Sequence, residues 1–174
     1  MSPAASARVR TLGPALLLAT LGALAAPLAA LESDQDQPVY LESDSAELDD
    51  QKALSIYRGS VIVTQGSVEI RADEVHMHHH PDRRPRLIIA TGSPATYRQA
   101  VDGEGKEMQA EALRMEYQPD RDEIVLIGEA VVFQGEDTLR SDRVIYDRRA
   151  ALVKAGASAQ GKERVRIRIN PGER

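Results

Sequence analysis

This chain repeats itself. Placing Gly59 over Gly128 sets GSVIVTQGSVEIRADEV above GEAVVFQGEDTLRSDRV, a constant offset of 69 residues that also pairs Gln65 with Gln134, Arg71 with Arg140 and Asp73 with Asp142. Asp44, Asp73, Glu111 and Asp142 each open an apolar-alternating run, and each is followed 14 to 19 residues later by a glycine: Gly59, Gly92, Gly128 and Gly156. A short strand-and-turn unit stacked on itself makes an elongated body with a continuous apolar seam. That shape suits a long guest or an end-to-end partner better than a compact active site.

Residues 1–30 read as a cleavable secretory signal. Arg8 and Arg10 supply the positive start, Leu12 to Leu24 the apolar stretch, and small residues crowd Ala25 to Ala30. Gly13 and Pro14 interrupt the apolar stretch, leaving it too short for a membrane anchor. Residues 31–174 are expected to form one domain. Without Arg8 and Arg10 the basic residues fall from 22 to 20 against 27 acidic ones, a net charge of −7. That balance argues against nucleic acid as a partner, which requires a clustered basic face. There is no cysteine. An exported chain without disulfides is held by sheet pairing and burial alone, which points to a bacterial periplasm.

Period-two alternation dominates from Val39 onward: Leu54/Ile56, Val61/Val63, Val68/Ile70, Val75/Met77, Leu113/Met115/Tyr117, Ile124/Leu126, Val144/Tyr146 and Val165/Ile167/Ile169. Turn signals separate the runs at Gln65-Gly66, His80-Pro81-Asp82, Gln118-Pro119-Asp120 and Gly135-Glu136-Asp137. Such spacing predicts an all-β, antiparallel fold of roughly fourteen to sixteen short strands. Val61-Ile62-Val63 and Val131-Val132-Phe133 are apolar at every position, so their inward parity stays open. Val101 to Lys106, with Gly103 and Gly105, reads as a loop within the domain. In the final RVRIRI run Arg164, Arg166 and Arg168 alternate with Val165, Ile167 and Ile169, either to protect an edge or to dock a partner strand.

The segment Gln37 to Val75 resembles the periplasmic lipopolysaccharide-transport bridge protein family, LptA or OstA-like. The resemblance rests on Gln37-Pro38, Glu42-Ser43-Asp44, the GSVIVTQG core at Gly59 to Gly66, and Ala72-Asp73. It continues through Gly92-Ser93-Pro94-Ala95-Thr96 and the Gln134-Gly135 copy. HMHHHPDRRPR, His76 to Arg86, departs from the family's plainer hairpin. The resemblance implies a twisted, open β-jelly roll whose interior holds the acyl chains of lipopolysaccharide. It also implies end-to-end self-association, and docking to related folds on an inner-membrane anchored, LptC-like partner and on the N-terminal domain of an LptD-like outer-membrane translocon.

On this basis the lipid-binding candidates are the inward apolar positions Val39, Leu41, Leu48, Ile56, Val63, Ile70, Met77, Tyr97, Met115, Tyr117 and Phe133. Ordinary core packing is the competing explanation for each. Val39 and Leu41 on the first strand, and Val165, Ile167 and Ile169 on the last, are the candidate docking edges. His76, His78 and His80 share one strand face, a spacing that suits a transition metal. All three lie in one segment beside a Pro-Asp turn, so a solvent-facing strand is the expectation, with no metal and no cofactor. Neither a nucleophile elbow, a metalloprotease motif nor a phosphate loop is present, and no enzymatic role is expected. The alternative to a periplasmic lipid carrier is a β-solenoid scaffold that binds proteins and no lipid.

Overall fold

The computed structural model describes Asp34, residues 37–100 and residues 107–170. The expected signal at residues 1–30 and the expected loop at Val101 to Lys106 lie outside these. The described residues form ten strands of one antiparallel sheet: β1 Val39–Glu42, β2 Ser45–Asp49, β3 Leu54–Gln65, β4 Val68–His79, β5 Pro85–Ala100, β6 Glu107–Gln118, β7 Glu123–Gln134, β8 Asp137–Asp147, β9 Leu152–Ala155 and β10 Arg166–Arg168. From β3 to β8 each strand pairs with the next in sequence. β1 and β2 both pair with β3 at one edge, and β9 and β10 both pair with β8 at the other.

Ten strands replace the expected fourteen to sixteen because the glycines read as boundaries lie inside strands. Gly59 (φ +83°) and Ser60 (φ +44°) sit within β3, and Gly128 (φ +76°) and Glu129 (φ +50°) within β7. At these points the chain bends without reversing, and pairing resumes one bulge later. Every central ladder shifts register at the same level: Arg58/Val61, Arg71/Glu74, Thr91/Ala95, Glu111/Arg114 and Ile127/Ala130. The acidic residues Asp73 and Asp142 likewise fall within β4 and β8, and Glu111 flanks the bulge of β6. The 69-residue offset therefore repeats a bent hairpin: a mid-strand bulge followed by the two-residue turns Gly66-Ser67 and Gly135-Glu136, whose glycines adopt φ +58° and +59°.

The aligned bulges divide the sheet into two half-sheets that face each other as an open roll. Val61, Val63, Ile70, Ala72, Tyr97, Ala110 and Val132 on one half and Val75, Met77, Ile88, Met115, Leu126 and Val144 on the other belong to a single buried cluster. Ala72, Ala95, Ala112 and Ala130 sit beside the bulges, where the sheet folds most sharply and only small side chains fit. The open parities are resolved: Val61, Val63 and Val132 join this cluster, whereas Val131 faces Glu111 and Arg140 on the outer side.

The final segment is tied down by Asp142. Its carboxylate accepts the backbone N–H of Lys162 at 2.6 Å, and hydrogen bonds from the backbone N–H groups of Lys162 and Glu163 hold its pKa below the usual carboxylate range.

The bulge generates a prediction. At Gly59 a Cβ would sit 2.2 Å from Asp44 Oδ2 in a left-handed backbone, whereas at Gly135 it would meet nothing within 4 Å. Gly59→Ala is expected to destabilise by about 3 kcal/mol and Gly135→Ala by about 1 kcal/mol. Equal thermal midpoints for the two variants would show that the bulge tolerates a side chain.

Candidate functional site

The roll encloses a cavity of about 40 Å³ lined by Val39, Val63, Gln65, Val68, Ile70, Ile88, Ala90, Tyr97, Met115, Tyr117, Ile124 and Arg148. Of the eleven lipid-binding candidates, Val39, Val63, Ile70, Tyr97, Met115 and Tyr117 line it directly. Met77 is buried in the same cluster and Leu41 packs against it. Leu48 lies opposite Ser55, whose other neighbour is Met77, so it shares the inner parity but is 70 % exposed at the open edge. Ile56 and Phe133 stand on the outer face: Ile56 pairs with His76, and Phe133 with Gln109 and Thr138. The reason is parity. Ser55 and Tyr57 take the inward places on β3, and Val132 takes the inward place on β7.

The interior also holds polar groups that the apolar pattern did not single out. Gln99 is fully buried and accepts the Tyr97 hydroxyl at 2.6 Å. Its amide donates to Asp34 Oδ2 at 3.2 Å, and Asp34 also accepts the N–H and hydroxyl of Ser67 at 2.8 and 2.7 Å. Burial raises the pKa of the Tyr97, Tyr117 and Tyr146 hydroxyls, most of all that of Tyr97. Arg148, just after β8, is 3 % exposed. Its Nη1 lies 3.3 Å from Asp122 Oδ1, itself 7 % exposed, and donates to the Tyr117 hydroxyl at 3.4 Å. The guanidinium sits 5.7 Å from the Tyr117 ring centre. The backbone N–H of Arg148 donates to the Asp122 carbonyl at 3.0 Å, so the pair is fixed through main chain as well. One signal in the sequence locates Arg148 and Gln99: period two carried past Val144 and Tyr146, and past Ala95 and Tyr97, lands on them.

The histidines are dispersed. His76 pairs with Glu74, and the ring of His79 meets Ser55 Oγ at 2.9 Å. His80 lies beyond the end of β4, with Nε2 2.8 Å from Asp120 Oδ2. Burial, then the neighbouring Arg86, lowers the pKa of His78. Among the described residues no group of three or more His, Asp or Glu side chains is placed to hold a metal ion.

Comparison with known proteins follows the geometry. A family model described as LptA/(LptD N-terminal domain) LPS transport protein matches residues 40–151. The chain belongs to this family. It is 33 % identical over 142 residues to the lipopolysaccharide export system protein LptH of Pseudomonas aeruginosa, covering 81 % of each chain. Over 132 residues it is 35 % identical to the lipopolysaccharide export system protein LptA of Escherichia coli K12, covering 75 % of this chain and 71 % of that one. The crystal structure of LptH, described as the LptA homologous periplasmic component of a lipopolysaccharide transport device, superposes with a TM-score of 0.73 at 31 % identity. The match covers 80 % of this chain and 99 % of that one. The open antiparallel roll is thus the fold of a lipopolysaccharide transport family, and the named relatives are transport proteins.

The buried pair sets the next expectation. Asp122→Ala leaves Arg148 charged and uncompensated inside the roll and should cost about 3–5 kcal/mol. Asp50→Ala removes a partner of Arg83 in a pair whose side chains are 83 % and 81 % exposed, and should change stability by less than about 0.5 kcal/mol. Urea unfolding of the two variants measures the difference; similar midpoints would mean that the Asp122 pair is open to water.

Proposed function

We propose that this protein is a periplasmic carrier of lipopolysaccharide, exported by a signal in residues 1–30. It holds acyl chains between its two half-sheets and passes them along a bridge of edge-docked rolls toward the outer membrane. One observation carries this. The apolar inner face runs to both open edges of the sheet and is left uncovered there. At the first edge Val39 is 43 % and Leu48 70 % exposed, beside half-buried Leu41. At the last edge Val153 (38 %) and Ile167 (61 %) lie opposite the inward-facing Tyr146 and Leu139. A packed core that ended within one copy would cover these side chains.

The cavity has room for only a water or two, so an acyl chain must spread the half-sheets. Met77, Met108 and Met115 make such repacking inexpensive, since unbranched thioether side chains adapt to many shapes. Each Å² of chain removed from water then contributes about 25 cal/mol without specific polar contacts. The negative charge of the protein keeps phosphorylated headgroups in solvent.

Edge chemistry favours joining unlike ends. On the outer side the first edge carries Glu42 and Glu47, and the last carries Arg166 and Arg168. Joining last to first brings opposite charges together and extends the groove, a heterologous contact that does not close. The same edges serve self-association and docking to an inner-membrane anchored, LptC-like partner and the N-terminal domain of an LptD-like translocon. β10 is shorter than the expected Val165–Ile169 strand, but it holds the edge position on β8.

Photo-crosslinking tests the lipid. Probes at Met115 and Tyr117 should capture lipopolysaccharide in cells, and probes at Arg71 and Phe133 on the outer face should not. Equal capture at all four removes the oriented interior, and folded protein that captures none favours a scaffold without lipid. Assembly has its own test. Ile167→Pro removes a backbone donor from the last edge, so sedimentation should show concentration-dependent rods for the parent protein, weakened by salt, and monomers for the variant. Identical association of the two, with circular dichroism showing intact sheet, refutes assembly through β10.

A further inference from the structure

Arg148 has a free side. Its Nη1 serves Asp122 and Tyr117, while Nε and Nη2 are buried and meet no acceptor among the described residues. These two nitrogens share one edge of the guanidinium, where their N–H bonds run parallel and form a two-pronged donor. Arg148 is also the one charged residue among the described residues that line the cavity, beside Ile88, Met115, Tyr117 and Ile124. Buried donors are almost always satisfied, and leaving two of them on a cation without acceptors is costly. A plain hydrocarbon core would be better served at this position by a leucine or methionine.

Resting on the carrier reading above, we propose that Arg148 is a polar recognition site inside the groove, whose Nε–Nη2 edge takes the oxygen of an ester, amide or hydroxyl group near the head of an acyl chain. Neutral oxygen fits better than a phosphate or carboxylate. Asp122 already balances the guanidinium, so an anionic guest would leave net negative charge in a low-dielectric interior. A carbonyl or hydroxyl adds no charge and satisfies the free donors. Tyr117 and Tyr146 keep their own protons because burial raises their pKa values, so they do not compete as anionic acceptors. The consequence is register. A pure hydrocarbon slides freely along an apolar groove, whereas a chain with oxygen at one end stops where that oxygen meets Arg148.

The test compares two guests of similar length, methyl myristate and hexadecane, each displacing a fluorescent fatty-acyl probe from the full mature protein. Replacing Arg148 by Met together with Asp122 by Asn removes both charges and leaves neither stranded. The ester-to-alkane affinity ratio should fall about tenfold from parent to double variant, as expected for a hydrogen bond to a charged donor. A ratio within threefold of the parent's, with both guests still bound, overturns the Arg148 site and leaves the carrier intact. If the parent binds neither guest nor lipopolysaccharide, the carrier reading falls and this proposal with it. Should the double variant fail to fold, the parent alone decides. Its Arg148 Nε–H resonance should shift on adding methyl myristate and stay in place with hexadecane. A resonance equally indifferent to both means the edge holds water only, and the proposal is wrong.

Discussion

A single antiparallel sheet has two faces, and one face of this sheet is almost wholly apolar. Everything else in the structure depends on how that face is hidden without a helix or a second sheet to cover it. The answer lies in the backbone. Register shifts at the same level in five successive ladders bend the whole sheet along one line, so that its apolar face closes on itself. Gly59 and Gly128, both at positive φ, make the bend on β3 and β7, and alanines on the neighbouring strands leave space for it. Without disulfides, ladder hydrogen bonds and this folded-over core are what hold the chain together.

The same bend explains why the ends stay open. A roll made by folding one sheet has two free edges, unlike a barrel, in which closure removes them. Here each edge is assembled from two short strands, β1 with β2 and β9 with β10, broken at the level of the bend. Asp44 marks the first break, where its N–H donates to the Gly59 carbonyl at 3.0 Å. Asp142 holds the chain after the second break through the backbone of Lys162. Two of the four acidic residues that recur in the sequence thus act as fasteners at the edges, Asp44 through its backbone N–H and Asp142 through its carboxylate. Asp142 would lose that role as its carboxylate protonates: its lowered pKa means its contribution is present above the ordinary carboxylate pKa and fades as pH falls through the lowered value.

Much of this was legible because period two is a strong signal and the repeat doubles it. The offset between Gly59 and Gly128, the hairpin turns at Gly66 and Gly135, and the inward placement of Ile70, Met77, Tyr97 and Met115 all follow from alternation. What alternation cannot reveal is whether a glycine turns a strand or bends it. That ambiguity split each bent strand in two and inflated the strand count. Ile56 is a different case: Ser55, Tyr57, Val61 and Val63 hold the inward places along β3, so period two carried straight through the bulge already sets Ile56 on the outer face. In the all-apolar run Val131-Val132-Phe133 alternation leaves the inward position open, and Val132, not Phe133, occupies it. Arg148 and Gln99 were missed for the opposite reason. A charged or amide residue at an inward position contradicts the apolar pattern, and only the folded structure shows partners that make it tolerable.

As the carrier proposed above, the roll must satisfy demands that an ordinary core does not. It has to be apolar enough to hold the fold in the absence of a guest, yet loose enough to admit one. The residues chosen here serve both ends. Three methionines and many alanines and valines fill the roll to a small residual cavity, with no tryptophan to lock it. Without a guest the roll is packed, and in the proposed carrier the work of opening is spread over flexible side chains and two edges built of short strands. Two hydrogen-bonded polar clusters stand within this soft interior, Asp34, Gln99 and Tyr97 in one and Asp122, Arg148 and Tyr117 in the other. In the proposed carrier these clusters hold the strand ends that bear them in place while the apolar side chains between them repack around a guest.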